Sequence, residues 1–260
     1  MTTKLPASST LVRVALRVRD LEACLAYYRD ALGLEVVDVE AERTTVAPAG
    51  RLFALDLLHA PDAPRRPYPC VGLYHFALVV PDRSALGAIF RRLLDRRESF
   101  DGMSDHGVSE ALYLRDPEQN GIELYWDRPQ ADWPRDADGT FAMVSDPLDV
   151  DGVIAAAEGP GALDAATRFG HVHLHVPDLR AAELFYADEL GLSVTQRTLP
   201  SALFFAAGDY HHHVGANTWA PDRPVPAGAT GLVSYTWRAP GVDRAPTRDP
   251  VGAEVIFVSG

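Results

Sequence analysis

An α+β fold of four β-α-β-β-β modules, closed in pairs into two cupped barrels with the fourth module truncated, is predicted by three observations. These are a gapless internal repeat, period-two alternation at the head of each copy, and helical apolar spacing behind it. VRVALRVRDLEACLAYYRDALGLEVV, from Val12, lies over GHVHLHVPDLRAAELFYADELGLSVT, from Gly170. Asp20 falls on Asp178, Tyr28 on Tyr186, and Leu32-Gly33-Leu34 on Leu190-Gly191-Leu192.

In the first module, residues 11–60, Val12, Val14, Leu16 and Val18 alternate as a half-buried strand does. Asp20 can cap a helix carrying Leu21, Leu25, Tyr28 and Leu32 on one face, and Gly33 stands where a left-handed residue would stop it. A second, diverged copy, residues 70–127, opens at Tyr74-His75-Phe76, has an apolar-periodic stretch from Leu86 to Leu94, and closes with ALYLRDPEQNGIELYW. Residues 128–168, with Pro129, Pro134, Pro147 and Pro160, read as a connector holding one short helix near Leu148 to Ala157. The third module, residues 169–220, continues into a three-stranded meander with Pro200 and Gly208 in its turns. The fourth, residues 229–260, runs from GLVSYTWRAPG to VGAEVIFV with too few residues for a helix. Each unit leaves one apolar sheet face bare, so units must pair, and a pair makes a cup that can hold a ligand.

With 47% hydrophobic and 23% charged residues among 260, the chain can bury a sizeable core. Its 36 acidic and 24 basic residues give a formal charge of −12, which repels polyanions and argues against nucleic acid. The first residues lack the apolar core of a secretory signal, and no apolar run is long enough for a membrane span, so a cytoplasmic protein is expected. Cys24 and Cys70 are too few for a disulfide framework and read as buried small hydrophobes.

The four copies, the DLxxxxxFYxxxLGL motif from Asp178 to Leu192, and the closing DPxxNxxE-like strand at Asp116 resemble the vicinal oxygen chelate superfamily over almost the whole chain. That superfamily includes glyoxalase I, bleomycin-resistance proteins and extradiol dioxygenases. The resemblance implies metal ligands on the first and last strands of a module. Module one has Arg13 at the first-strand place, module two His75 with Glu123 on its last strand, module three His171, and module four Ser234 with a doubtfully aligned Glu254. His75, His171 and Glu123 would form the two-histidine, one-carboxylate triad that leaves positions open on iron(II). Manganese, zinc or nickel would accept the same donors. The triad closes only if modules two and three share a barrel.

The stretch Asp105 to Glu123 is similar to the extradiol dioxygenase signature in His106, Leu112-Tyr113, Asp116-Pro117 and Glu123, and departs from it at Ser104 and Gln119. The resemblance places His106 and Tyr113 beside the substrate, as donors to developing charge. It also implies an acid/base histidine in Tyr210-His211-His212-His213. Alignment selects His212, and a one-residue shift would substitute His211 or His213. His173 and His175 share the strand face of His171, as outer donors or cup lining. Tyr74, Phe76, Tyr125, Trp126 and Trp219 suggest an aromatic cavity wall.

The resulting expectation is a non-haem iron(II) extradiol dioxygenase acting on a small catechol-like aromatic with dioxygen, with dimer formation left open. Two alternatives are an oxygen-independent isomerase, lyase or hydrolase on the same triad, and a metal-free drug-binding resistance protein.

Overall fold

Alternation, capping and glycine turns set the elements of the computed structural model, which describes residues 3–137, 139–220, 223 and 225–259. Gly260, the last residue of the expected fourth module, lies outside them. β1 (Thr10–Val18) buries Val14, Leu16 and Val18, and the Asp20 carboxylate then accepts from Ala23 N to start α1 (Leu21–Ala26). The helix widens into a π turn over Tyr27–Ala31, and Gly33, at φ +79°, takes the chain out of it. β2 (Glu35–Val39), β3 (Arg43–Ala47) and β4 (Ala54–His59) complete the unit.

The second unit has β5 (Gly72–Val80), then α2 (Arg83–Asp95) capped by Asp82, then β6 (Gly102–Asp105), β7 (Ser109–Arg115) and β8 (Gly121–Asp127). The connecting stretch contains β9 (Asp146–Pro147) and α3 (Val150–Ala155), capped by Asp149 and packed on α2. The third unit runs through β10 (Arg168–His175), α4 (Leu179–Glu183) with a π turn at Leu184–Glu189, β11 (Ser193–Gln196), β12 (Ala202–Ala206) and β13 (Val214–Asn217). The fourth keeps only strands: β14 (Gly231–Arg238), β15 (Thr247–Arg248) and β16 (Glu254–Val258).

These strands form two curled sheets. One has the order β15-β16-β14-β1-β4-β3-β2 and joins the outer units through antiparallel β1 and β14. The other has the order β11-β12-β13-β10-β5-β8-β7-β6-β9 and joins the inner units through antiparallel β5 and β10. The sheets meet where β1 lies against β10, and one apolar cluster containing Leu16, Phe76, Val172 and Tyr235 runs through all four units. Among the described residues, no helix is long and apolar enough to cross a membrane.

A pair of buried tyrosines marks the pseudo-symmetry. Tyr28 donates to Asp116 at 2.8 Å, and its repeat mate Tyr186 donates to Asp249 at 3.0 Å. Each aspartate heads a turn before a closing strand, and its other oxygen accepts backbone N–H groups, from Glu118 and Asn120 in one case and Val251 and Ala253 in the other. Gln119, the unusual residue in the first turn, takes a left-handed φ of 65°, and the turn closes normally through Gln119 N to Asp116 O.

Candidate metal centre and cavity

Strand register brings three distant donors to one point. Parallel β5 and β8 set His75 opposite Gly121 and Ala77 opposite Glu123, and antiparallel β10 sets His171 opposite Ala77. His75 Nε2 lies 2.9 Å and His171 Nε2 3.0 Å from Glu123 Oε2, and the two nitrogens are 3.3 Å apart. Three donors at right angles on an ion ~2.1 Å away would stand ~3.0 Å from one another, so the set matches a facial triad around one divalent ion. All three side chains are buried.

Electrostatics favour the ligating protonation states. Burial opposes ionisation of Glu123, yet the imidazoles of His171 and His75 outweigh it and hold the carboxyl well below its usual range. Burial drives His171 down to about 4, so it is neutral at pH 7 with a free lone pair to offer. The outer Nδ1 atoms of His75 and His171 are buried without a hydrogen-bond partner among the described residues, so aromatic packing aligns the rings: Tyr74 and Tyr113 against His75, Tyr125 and His212 against His171.

The outer sheet shows the same positions with different chemistry. Arg13 stands opposite Ala54 and Ala15 opposite Asp56, the offset that relates His75 to Glu123. There Arg13 Nη1 binds Asp56 at 2.7 Å and Thr45 donates to the same carboxylate. An ion pair fills the place that the inner sheet gives to a ligand set. Glu254 stands opposite Ser234, two residues short of the Glu123-like position, which Ile256 occupies.

The triad forms the floor of a cavity of about 740 Å³ whose walls include His106, Tyr113 and His212. His106 Nδ1 faces the Val144 carbonyl at 2.7 Å, and a carbonyl only accepts, so this nitrogen carries the hydrogen. With its hydrogen on Nδ1, the ring offers Nε2 as acceptor to the Tyr113 hydroxyl, 2.7 Å away.

The three-histidine run precedes β13 rather than lying inside it, and the structure separates its members. His212 packs at a ring distance of 4.0 Å on His171 and borders the cavity. His211 is held by Asp127, with Nε2 2.8 Å from Oδ1, and His213 packs on Trp237 away from the triad. With its Nε2 hydrogen given to the Asp127 carboxylate, the His211 ring has Nδ1 as its acceptor, where His212 Nδ1 lies 2.7 Å away. His212 therefore donates from Nδ1 and keeps its Nε2 lone pair, which has no partner among the described residues. Tyr210 donates to the other oxygen of Asp127, which fixes the start of this chain.

Of the expected aromatic wall, Tyr74 and Trp219 line the cavity, whereas Phe76 and Tyr125 are buried in the cores and Trp126 lies outside. His173 also lines it, accepting from Asn217 Nδ2, and His175 donates to the Asn217 carbonyl oxygen. Neither hydrogen-bonds a triad residue. The sequence reading missed Tyr68, Phe204, Arg115 and the connector residues Met143–Ser145 in the wall. Arg115 and Tyr68 could have been suspected as a cation beside an aromatic ring, but nothing in the connector sequence marks Val144, which acts through its backbone.

Comparison with known proteins agrees with this geometry. A protein of Bacillus subtilis (strain 168) named catechol-2,3-dioxygenase is 41% identical over 227 residues, covering 85% of this chain and 79% of its own. The sequence model for the Glyoxalase/Bleomycin resistance protein/Dioxygenase superfamily matches residues 10–124. The chain belongs to that superfamily. Among solved members of the superfamily's fold, one Bacillus subtilis structure covers 98% of this chain and 86% of its own at TM-score 0.67 and 13% identity. Glyoxalase I from Zea mays covers 96% of this chain and 92% of its own at TM-score 0.57 and 16% identity. At those identities the superfamily structures support the half-barrel fold alone.

Proposed function

We propose that the protein is an extradiol dioxygenase that opens the ring of a catechol-like aromatic with dioxygen, using iron(II) held by His75, His171 and Glu123. The observation that carries this reading is the convergence of those three donors at the floor of a cavity whose wall presents an unprotonated His212 nitrogen. Iron(II) bound there would bring the substrate's two oxygens and dioxygen into adjacent positions and pass electrons between them.

The chain's own groups then have distinct tasks. His212 Nε2 accepts the proton of the second substrate hydroxyl, a step suited to an imidazole. The resulting positive charge is offset by Asp127 through His211, to which His212 is joined by its Nδ1. His106 and Tyr113 lie on another wall, where the Tyr113 hydroxyl, held by His106 Nε2, borders the place of the reacting ring. Burial of the triad excludes bulk water from the reacting atoms. The similarity to the catechol-2,3-dioxygenase of Bacillus subtilis supports the same reading.

The test is oxygen consumption with parallel absorbance after anaerobic iron(II) loading and addition of a catechol panel. The expected result is stoichiometric oxygen uptake and a coloured ring-opened product, both lost in His75→Ala. Substrate turnover without oxygen uptake would instead assign the site to a metal-dependent isomerase or lyase.

A further inference from the structure

Where β5 begins, at Gly72 and Leu73, a second cavity of about 410 Å³ is lined by three arginines, Arg17, Arg66 and Arg223. None has a carboxylate within ion-pair distance among the described residues, whereas nine of the other 20 arginines do. Their protein partners are carbonyls: Arg17 Nη1 donates to Ala229 O at 3.1 Å, Arg66 Nη1 to Leu73 O at 2.6 Å and Nη2 to Gln119 O at 3.3 Å, and Arg223 Nη1 to Tyr68 O at 3.4 Å. A guanidinium has five N–H donors, so most remain unused. No acidic side chain appears among the described residues of the lining, whose other polar side chain is Thr230.

The backbone is shaped around Arg66. Gly72 and Gly231 open β5 and β14 at φ 126° and 115°, conformations that glycine alone adopts readily. A Cβ on Gly231 would come 3.2 Å from Arg66 Nε, and one on Gly72 would come 3.5 Å from Nη1. Two side-chain-free residues, one from each sheet, thus make the bed on which the guanidinium lies. The backbone N–H of Arg66 donates to Thr230 Oγ1, which ties the segment down. Burial of this cation lowers its pKa, a cost that a bound anion would offset.

We propose that this cavity is a binding site for a small oxyanion, a phosphate or carboxylate group, gripped by Arg17, Arg66 and Arg223. Arginine forks match the paired oxygens of such groups, and the carbonyls that hold Arg66 pre-organise it for the contact. The site is independent of the metal triad and of the dioxygenase reading.

The test is thermal denaturation of the iron-loaded full chain, titrated at constant ionic strength with inorganic phosphate, with succinate, and with chloride as reference. Arg17→Gln and Arg223→Gln, each of which gives up one carbonyl bond, are measured alongside. The expected result is a saturating rise in Tm with phosphate or succinate at millimolar concentration, weakened at least tenfold in both variants. Saturation by phosphate alone assigns a phosphoryl ligand, and by succinate alone a carboxylate. A response no greater than that to chloride, or an unchanged response in both variants, overturns the proposal; the latter would place the anion on the metal.

Discussion

A proton position in the cavity is decided by a group that never touches the cavity wall's histidine: Asp127 takes the hydrogen of His211, which leaves His211 able only to accept, so His212 must donate backward and present its lone pair forward. His212→Ala is expected to lower kcat by about 10²- to 10⁴-fold, the range for a lost acid/base group, with iron content unchanged. Asp127→Asn should lower kcat by ~10-fold or more with KM nearly constant, because an amide can present its N–H to His211 and reverse both tautomers. Steady-state kinetics beside iron analysis separates these effects from loss of metal. A different residue governs pH dependence of stability. Burial raises Asp249 to about 6, above its ordinary 3.8. A raised folded-state pKa gives a contribution present below pH ~4 and lost as the pH rises through ~6, about 3 kcal/mol in all. Asp249→Asn does not titrate there, so the stability difference between wild type and variant should fall by that amount from pH 4 to 7 in urea denaturation.

Register, rather than any single contact, sets the spacing of the donors at the scale of elements. Gly121 faces His75 across β5 and β8, and a Cβ there would come within 2.1 Å of the Tyr74 carbonyl oxygen. Gly121→Ala must therefore push the two strands apart. The expected outcome is destabilisation of about 1–3 kcal/mol with reduced iron retention, read by denaturation and metal analysis. The strands themselves were legible from alternation, and two of the helix starts from Asp20 and its repeat mate Asp178, whereas the caps at Asp82 and Asp149 were not singled out. The π turns were not, since widening a helix by one residue leaves no mark in an apolar pattern; it becomes visible in where Tyr28 and Tyr186 reach. His75, Glu123 and His171 could be picked out because a repeat supplies corresponding slots. The coupling of His211 to His212 could not, because period-two reasoning sends neighbours to opposite faces and these two precede the strand. Val144 escaped for another reason: a carbonyl is common to every residue, and only the path of the connector brings this one to His106.

For the whole molecule, the nested pairing of inner with inner and outer with outer units puts all three proposed ligands on one sheet, and two of its units contribute. Bound metal thus links β10 to β5 and β8. Removing it with a chelator should lower Tm by about 5–10 °C, as expected for a ligand held at ~100 times its Kd, with Glu123→Gln insensitive to the treatment. The outer sheet, with Arg13 and Asp56 already neutralising each other, has no such dependence. The nesting was foreseen from the ligand-poor outer units, whereas the ion pair that replaces the ligands was not, because Asp56 acquires its meaning only through its register with β1.

The same nesting has a consequence for biosynthesis. β1 emerges from the ribosome before the other strands described, yet its neighbour on one side is β14, roughly 210 residues later. At ~5–20 residues per second, that edge waits ~10–40 s without a partner while the inner sheet is being made. For that interval a strand that ends with buried Leu16 and Val18 offers an open row of backbone donors and acceptors to any neighbouring nascent chain. The strand made before the others described is enclosed last, and a ribosome stalled before Gly231 would release a chain with a finished inner sheet and an adhesive edge.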